Sequence, residues 1–203
     1  MSRRRTAWLP RIALVCLVTS LTGCASVASV GKRVDGGDDI AVRKLALYSF
    51  APLHSMGSDR LRRDARRLDC ELARHLAAHD IETVVTDVDE SVRRHALAIE
   101  VRVADGEGMR RSSALPEREL LEAQRSEEST AGVTHRLVIV PLRLNVDAGT
   151  GVAHGVLRWR VEAVDGPSTV AVGLMRYTAD ARGYPSKRMA TLLVAKLRSL
   201  GIR

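Results

Sequence analysis

Aromatic residues are almost missing from this chain. In 203 residues there are two Trp, three Tyr and one Phe. A core built around stacked rings is excluded, and Ala, Val and Leu must fill the interior. Cysteine is nearly absent too, at Cys16, Cys24 and Cys70, which rules out a disulfide-stapled scaffold. No apolar run reaches the length of a membrane-spanning helix. The longest, Ile12 to Val18, is far short of the roughly 20 residues a span requires. Acidic residues are wholly lacking from residues 1–23, which carry Arg3, Arg4, Arg5 and Arg11.

That basic start, the short apolar stretch and a small-residue exit read as an export signal. It closes on Leu21-Thr22-Gly23-Cys24, which resembles a bacterial lipobox. The resemblance implies cleavage before Cys24, acylation of that cysteine and attachment of residues 24–203 to a membrane. Acyl chains contribute about 0.8 kcal/mol per buried CH₂, and several make such attachment effectively permanent. Ala25 and Ser26 follow instead of Asp. By similarity to enterobacterial lipoproteins, this implies the outer membrane, with the inner membrane as the alternative and the domain facing the periplasm.

Removing the signal changes the charge. Taking its four Arg from 32 basic residues leaves 28 against 24 acidic, so the formal net charge falls from +8 to +4. The remainder does not argue for nucleic acid. The mature chain of 180 residues suits one domain with a real core. With Cys16 gone and Cys24 acylated, Cys70 has no partner for an internal disulfide.

Residues 24–40 read as a flexible lipidated tether, rich in small residues with Gly36-Gly37, spanning roughly 20–25 Å. Residues 41–203 read as a single α/β domain. Val42 to Phe50 predicts a strand ended by Pro52. Ser58 or Asp59 then caps a helix running to about His79. Leu61, Ala65, Leu68, Leu72 and Leu76 line one face of it, and Asp80 breaks it. Strands are predicted at 81–86 and 97–103. Residues 105–132 read as an insert, a Gly- and Ser-rich loop followed by a helix over 116–127. With little apolar face beyond Leu120, Leu121 and Ala123, that helix is expected on the surface.

The last third is the best patterned. Runs at 135–146, 152–164 and 169–178 predict an antiparallel meander turning at Asp147 to Gly151 and at Asp165 to Ser168. In the middle run Ala153, Leu157, Trp159, Val161 and Ala163 face one way. His154, Arg158, Arg160 and Glu162 face the other. A helix capped by Ser186 follows, with Met189, Leu193, Leu197 and Leu200 on one side and Gly201-Ile202 as its stop. The expected fold is a two-layer α/β sandwich. It has a mixed sheet of about five to six strands and two main amphipathic helices on one face.

A tethered domain with this order resembles the small envelope-lipoprotein fold of LpoB-like activators, the TolB N-terminal domain and CsgG-like proteins. The resemblance rests on the Lys44–Phe50 strand, the Arg60–His79 helix, the Thr83–Asp87 strand, the Asp147–Gly151 turn and the Met189–Leu200 helix. It implies an accessory or docking role in a cell-wall or transport machine, with a protein partner in the envelope. It is also compatible with a homo-oligomer, including a secretion-pore subunit whose strand would be Val152 to Val164. Fold alone fixes none of these roles.

Sites for chemistry are weak. His75 and His79 have metal-ligand spacing but no evident third or fourth ligand. Asn145-x-Asp147-x-Gly149 begins like a calcium loop, yet Thr150 and Val156 stand where Gly and Glu are needed, so a tight hairpin is the better reading. Gly149-Thr150-Gly151 lacks the lysine of a phosphate loop, and there is no Gly-x-Ser-x-Gly elbow. No carboxylate pair stands out for glycoside cleavage in a cell-wall enzyme. Cys70 reads as an inert thiol. The arginines of the first helix, with Asp64, Asp69 and Glu71 among them, read as a solvated, locally paired face. The expectation is a non-enzymatic protein without cofactor or metal, whose one site residue is Cys24, for lipidation.

Overall fold

The computed structural model describes residues 26–34, 37, 39–50, 59–86, 88, 117–147, 149–150, 152–166, 168–179 and 183–203. Cys24, the export signal and the strand expected at 97–103 lie outside them.

Ten elements occur among the described residues. In chain order they are β1 (Val27–Arg33), β2 (Lys44–Ser49), α1 (Asp59–Ala77), β3 (Glu82–Thr86), α2 (Glu117–Ala123), α3 (Arg125–Thr130), β4 (His135–Val146), β5 (Ala153–Ala163), β6 (Thr169–Ala179) and α4 (Ser186–Ser199). The strands make one mixed sheet in the order β1-β6-β5-β4-β2-β3. β2 runs parallel to β3 and β4, and the other pairings are antiparallel.

α1 and α4 cover one face. Ala65, Leu68, Leu72 and Leu76 of α1 join Met189, Leu193 and Leu197 of α4 in one buried cluster over Leu45, Leu47, Leu157 and Trp159. Each fully buried side chain of this size contributes about 1.5–3 kcal/mol. Both helices stop on left-handed residues, Asp80 (φ 60°) and Gly201 (φ 78°). Ile81 and Ile202 then send their N–H groups back to the carbonyls of Leu76 and Leu197, and both side chains are buried. These are helix stops with their hydrophobic contacts.

Three expectations are corrected. The supposed tether is largely a strand: Val27–Arg33 pairs with Tyr177–Ala171 along its whole length. Gly31 is there for space and not for flexibility. The Trp159 ring lies over Gly31 and Gly173, and a Cβ at Gly31 would come within 2.3 Å of it. The helix expected on the surface packs inward instead. Leu120 and Leu121 bury against Ala46, Tyr48, Phe50, Val133 and Val138 on the sheet's second face. α2 and α3 therefore belong to the core and not to an appended insert. Finally, Ser186 does not cap α4. The cap position is Pro185, and the Ser186 hydroxyl donates to the carbonyl of Asp64 at 3.2 Å.

Pro141 sits within β4 without harm because β2 pairs only with His135–Ile139. Beyond Ile139 that side of β4 has no strand neighbour among the described residues, and the ladder to β5 slips between Pro141 and Arg143. Edges and bulges are where a strand tolerates proline.

Candidate functional site

The sheet's second face divides into two halves along the strands. Under α2 and α3, buried charges are matched. Arg136, 3% exposed, donates from Nε to both oxygens of Glu128 at 2.7 Å and from Nη2 to the Leu121 carbonyl at 2.7 Å. The Tyr48 hydroxyl donates to the same carboxylate at 2.7 Å. Burial, and then that bond to Glu128, pushes the Tyr48 pKa well above its usual 10. Next along the strands, Arg160 is held by Glu117 and Glu162. Glu117 also reaches Arg158 at 3.5 Å.

Past Arg158 no described helix covers the face. One row of the sheet carries Val30, Leu174 and Arg158, and the next carries Ala28, Arg176, Val156 and Arg143. The row after that holds Ser26, Thr178, His154 and Asn145. There the Ser26 and Thr178 hydroxyls lie 3.1 Å apart, and His154 Nδ1 is 3.4 Å from Thr178. Val30 is 64% exposed and Leu174 36%. Lys32, Arg143, His154 and Arg176 are exposed. This bare half is apolar and basic together.

Elsewhere, a concavity of about 660 Å³ lies between α1 and the start of α4, bordered by Arg67, Glu71, Tyr184, Ser186, Lys187 and Thr191. Its floor is braced by structural contacts. The Tyr177 and Tyr184 hydroxyls are 2.6 Å apart, and burial raises both pKa values. A Cβ on Gly183 (φ +108°) would press on Asp64.

The other residues singled out by sequence are scattered. α1 ends at Ala77, so His79 stands in the following turn, while His75 Nε2 lies 3.2 Å from the Thr191 hydroxyl. No group of three or more metal-binding side chains occurs among the described residues. Cys70 is exposed and free. Asp147 Oδ1 accepts from the N–H groups of Gly149 and Thr150 at 2.9 and 2.8 Å. Those bonds hold its carboxyl below the ordinary value, and the segment is a hairpin turn. Arg74 on the α1 face pairs with Glu71, whose pKa it lowers. Leu157 and Trp159 are buried beneath α1 and α4, so in this fold neither serves as the lipid-facing residue of a pore strand. No described helix is long and apolar enough to cross a membrane.

The signal missed in the sequence was β2. Leu45, Ala46, Leu47, Tyr48 and Phe50 are all buried, an apolar run without alternation. A strand of that kind is covered on both faces.

No protein-family model matches the chain, and no curated protein matches it. Among solved structures it is similar to the PelC dodecamer from Paraburkholderia phytofirmans, at 13% identity and TM-score 0.45 over 87% of this chain and 100% of that one. It is also similar to lipoprotein GNA1162 from Neisseria meningitidis, at 10% identity and TM-score 0.41 over 79% of this chain and 94% of that one. The hypothetical protein CT253 from Chlamydia trachomatis matches at 10% identity and TM-score 0.35 over 77% and 92%. With scores this low, no function is carried across.

Proposed function

We propose that the chain is a non-enzymatic lipoprotein of the cell envelope. In this reading it is anchored through Cys24 in the outer membrane, faces the periplasm, and serves as an accessory or docking module for a cell-wall or transport machine. The single observation that carries the reading is Leu21-Thr22-Gly23-Cys24 at the end of a basic, then apolar, N-terminal segment. The α/β domain behind it supplies a rigid body with exposed faces. Palmitate labelling tests the anchor: wild type incorporates label and Cys24→Ala does not. Label retained by Cys24→Ala overturns it. Cross-linking in cells, followed by mass spectrometry of the captured protein, tests the docking role. A cell-wall synthase or transporter subunit as the dominant product supports it, and a ladder of self-cross-links replaces it with assembly.

That second reading, a homo-oligomer, is favoured by β3. This outermost strand of the described sheet leaves Val84 37% and Val85 47% exposed, an edge suited to further pairing. A monomeric mass for the detergent-solubilised protein rules it out.

A further inference from the structure

The strand at Val27 sets how far the domain can stand from its anchor. Ser26 is fixed in the sheet, its carbonyl accepting from Thr178 N–H at 2.9 Å. Cys24 is two residues earlier, so its Cα lies within about 7 Å of the Ser26 Cα even at full extension. A tether of 17 residues would have let the domain roam. A link of two residues seats one end of the sheet at the headgroups.

The bare half of the second face lies at that same end. Arg143 and Arg176 sit one row of side chains along the strands from Ser26, about 7 Å away, and Val30 and Leu174 two rows, about 13 Å away. Lys32 follows on β1, Leu142 stands 52% exposed at the β4 bulge, and His154 shares the row of Ser26. No ion pair engages Arg143, Arg176 or Lys32 among the described residues, whereas Arg136 and Arg160 of the covered half, and Arg158 at its border, each contact a carboxylate. Unpaired cations with long stems, interleaved with exposed aliphatic side chains, suit an interface of anionic headgroups over acyl chains.

We infer that this half-face, centred on Arg143, Arg176, Val30 and Leu174, rests on the anionic surface of the bilayer that holds the lipid anchor. The inference depends on the reading that Cys24 is lipidated. It commits the domain to one orientation: β1, β6, β5 and the β4–β5 turn lie against the membrane. The far end of the sheet, with β3 and the buried Arg136–Glu128 pair, points to the periplasm.

The test uses the full lipoprotein in a Cys70→Ser background, reconstituted into vesicles of phosphatidylethanolamine with phosphatidylglycerol or of phosphatidylcholine alone. A nitroxide is placed at Val30→Cys, or at Ala195→Cys on the exposed side of α4 as a control. On anionic vesicles the label at 30 shifts from water-phase to lipid-phase relaxation agents, and the label at 195 stays in water. Adding Arg143→Glu and Arg176→Glu returns the label at 30 to water while palmitate labelling persists. On phosphatidylcholine it stays in water throughout. A palmitoylated protein whose label at 30 is in water on both vesicles overturns the docking and leaves the anchor standing. A lipid-phase signal indifferent to the charge reversal overturns the role of the arginines. Wild type without palmitate removes the anchor, and this inference falls with it.

Discussion

The same strands carry arginines into two different settings on one face of the sheet. Under α2 and α3, Arg136 is buried to 3% exposure and is met by Glu128, Tyr48 and the Leu121 carbonyl, while Arg160 is met by Glu117 and Glu162. A few residues further along, Arg143 of β4 and Arg176 of β6 stand in solvent with no carboxylate among the described residues. The difference follows from desolvation. A guanidinium taken out of water costs several kcal/mol unless a partner restores the lost bonds, so every arginine that the helices cover comes with an acid. Where the helices stop, that requirement lapses, and the cations are left for something outside the molecule. Residue type alone does not separate the two groups; position along the strand does.

Breaking the covered half gives the largest effect. Glu128→Ala leaves Arg136 buried without its counter-charge and the Tyr48 hydroxyl without its acceptor. The expected loss is about 3–5 kcal/mol, read by urea unfolding. Arg143→Ala and Arg176→Ala, on the same face, stay within about 0.5 kcal/mol of wild type. Glu128→Ala at less than about 1 kcal/mol would erase the contrast, since the pair would then be no more than a surface contact.

The next effect sharpens the boundary between domain and anchor. A Cβ on Gly173 would meet Trp159 Cζ2 and the Val30 carbonyl oxygen, each at 2.2 Å. Gly173→Ala should therefore cost about 1–3 kcal/mol by overpacking. Gly31→Ala meets the same ring at 2.3 Å and should fall in the same range. A free tether at 27–33 would make Gly31→Ala silent, so this one substitution separates an integrated strand from a linker.

What could be read in the chain beforehand divides along the same line. β4 was legible to the residue, and β5, β6 and α4 to within about one residue at each end. Their turns are local, with Asp147-Ala148-Gly149 and Asp165-Gly166 between alternating runs, and alternation alone names the side that α1 and α4 cover. β1 was not legible. Its partner β6 is some 140 residues away in sequence, and the small residues that let Trp159 lie across the sheet look like linker composition. The second face was half legible. Alternation marked Arg158 and Arg160 as facing away from the main core. It did not show that residues 117–130 fold back over one half of that face, because Leu120 and Leu121 form too short an apolar stripe to announce a core helix. The one available sign was the doubly apolar β2. Cys24 is legible only as a pattern of chemistry, and its lipidation rests on that pattern.

The smallest effect tests the far end of the sheet, away from the bare half. His135 opens β4 opposite Ala163. Partial burial holds its pKa below the ordinary 6.5, while Asp165 pulls the other way without reversing the shift. In the unfolded chain the imidazole takes up its proton near 6.5, whereas in the folded chain it resists. Below that value the unfolded state binds more protons, so the stability from the neutral ring is complete above pH 6.5 and is lost as pH falls from 6.5 through the folded value. Urea midpoints at pH 7.5 and 5.5 should therefore drop more in wild type than in His135→Gln. If His135→Gln leaves the wild-type drop unchanged, the His135 ring is as solvated as the bare half. The gradient of burial that distinguishes the two ends of the sheet would then stop short of His135.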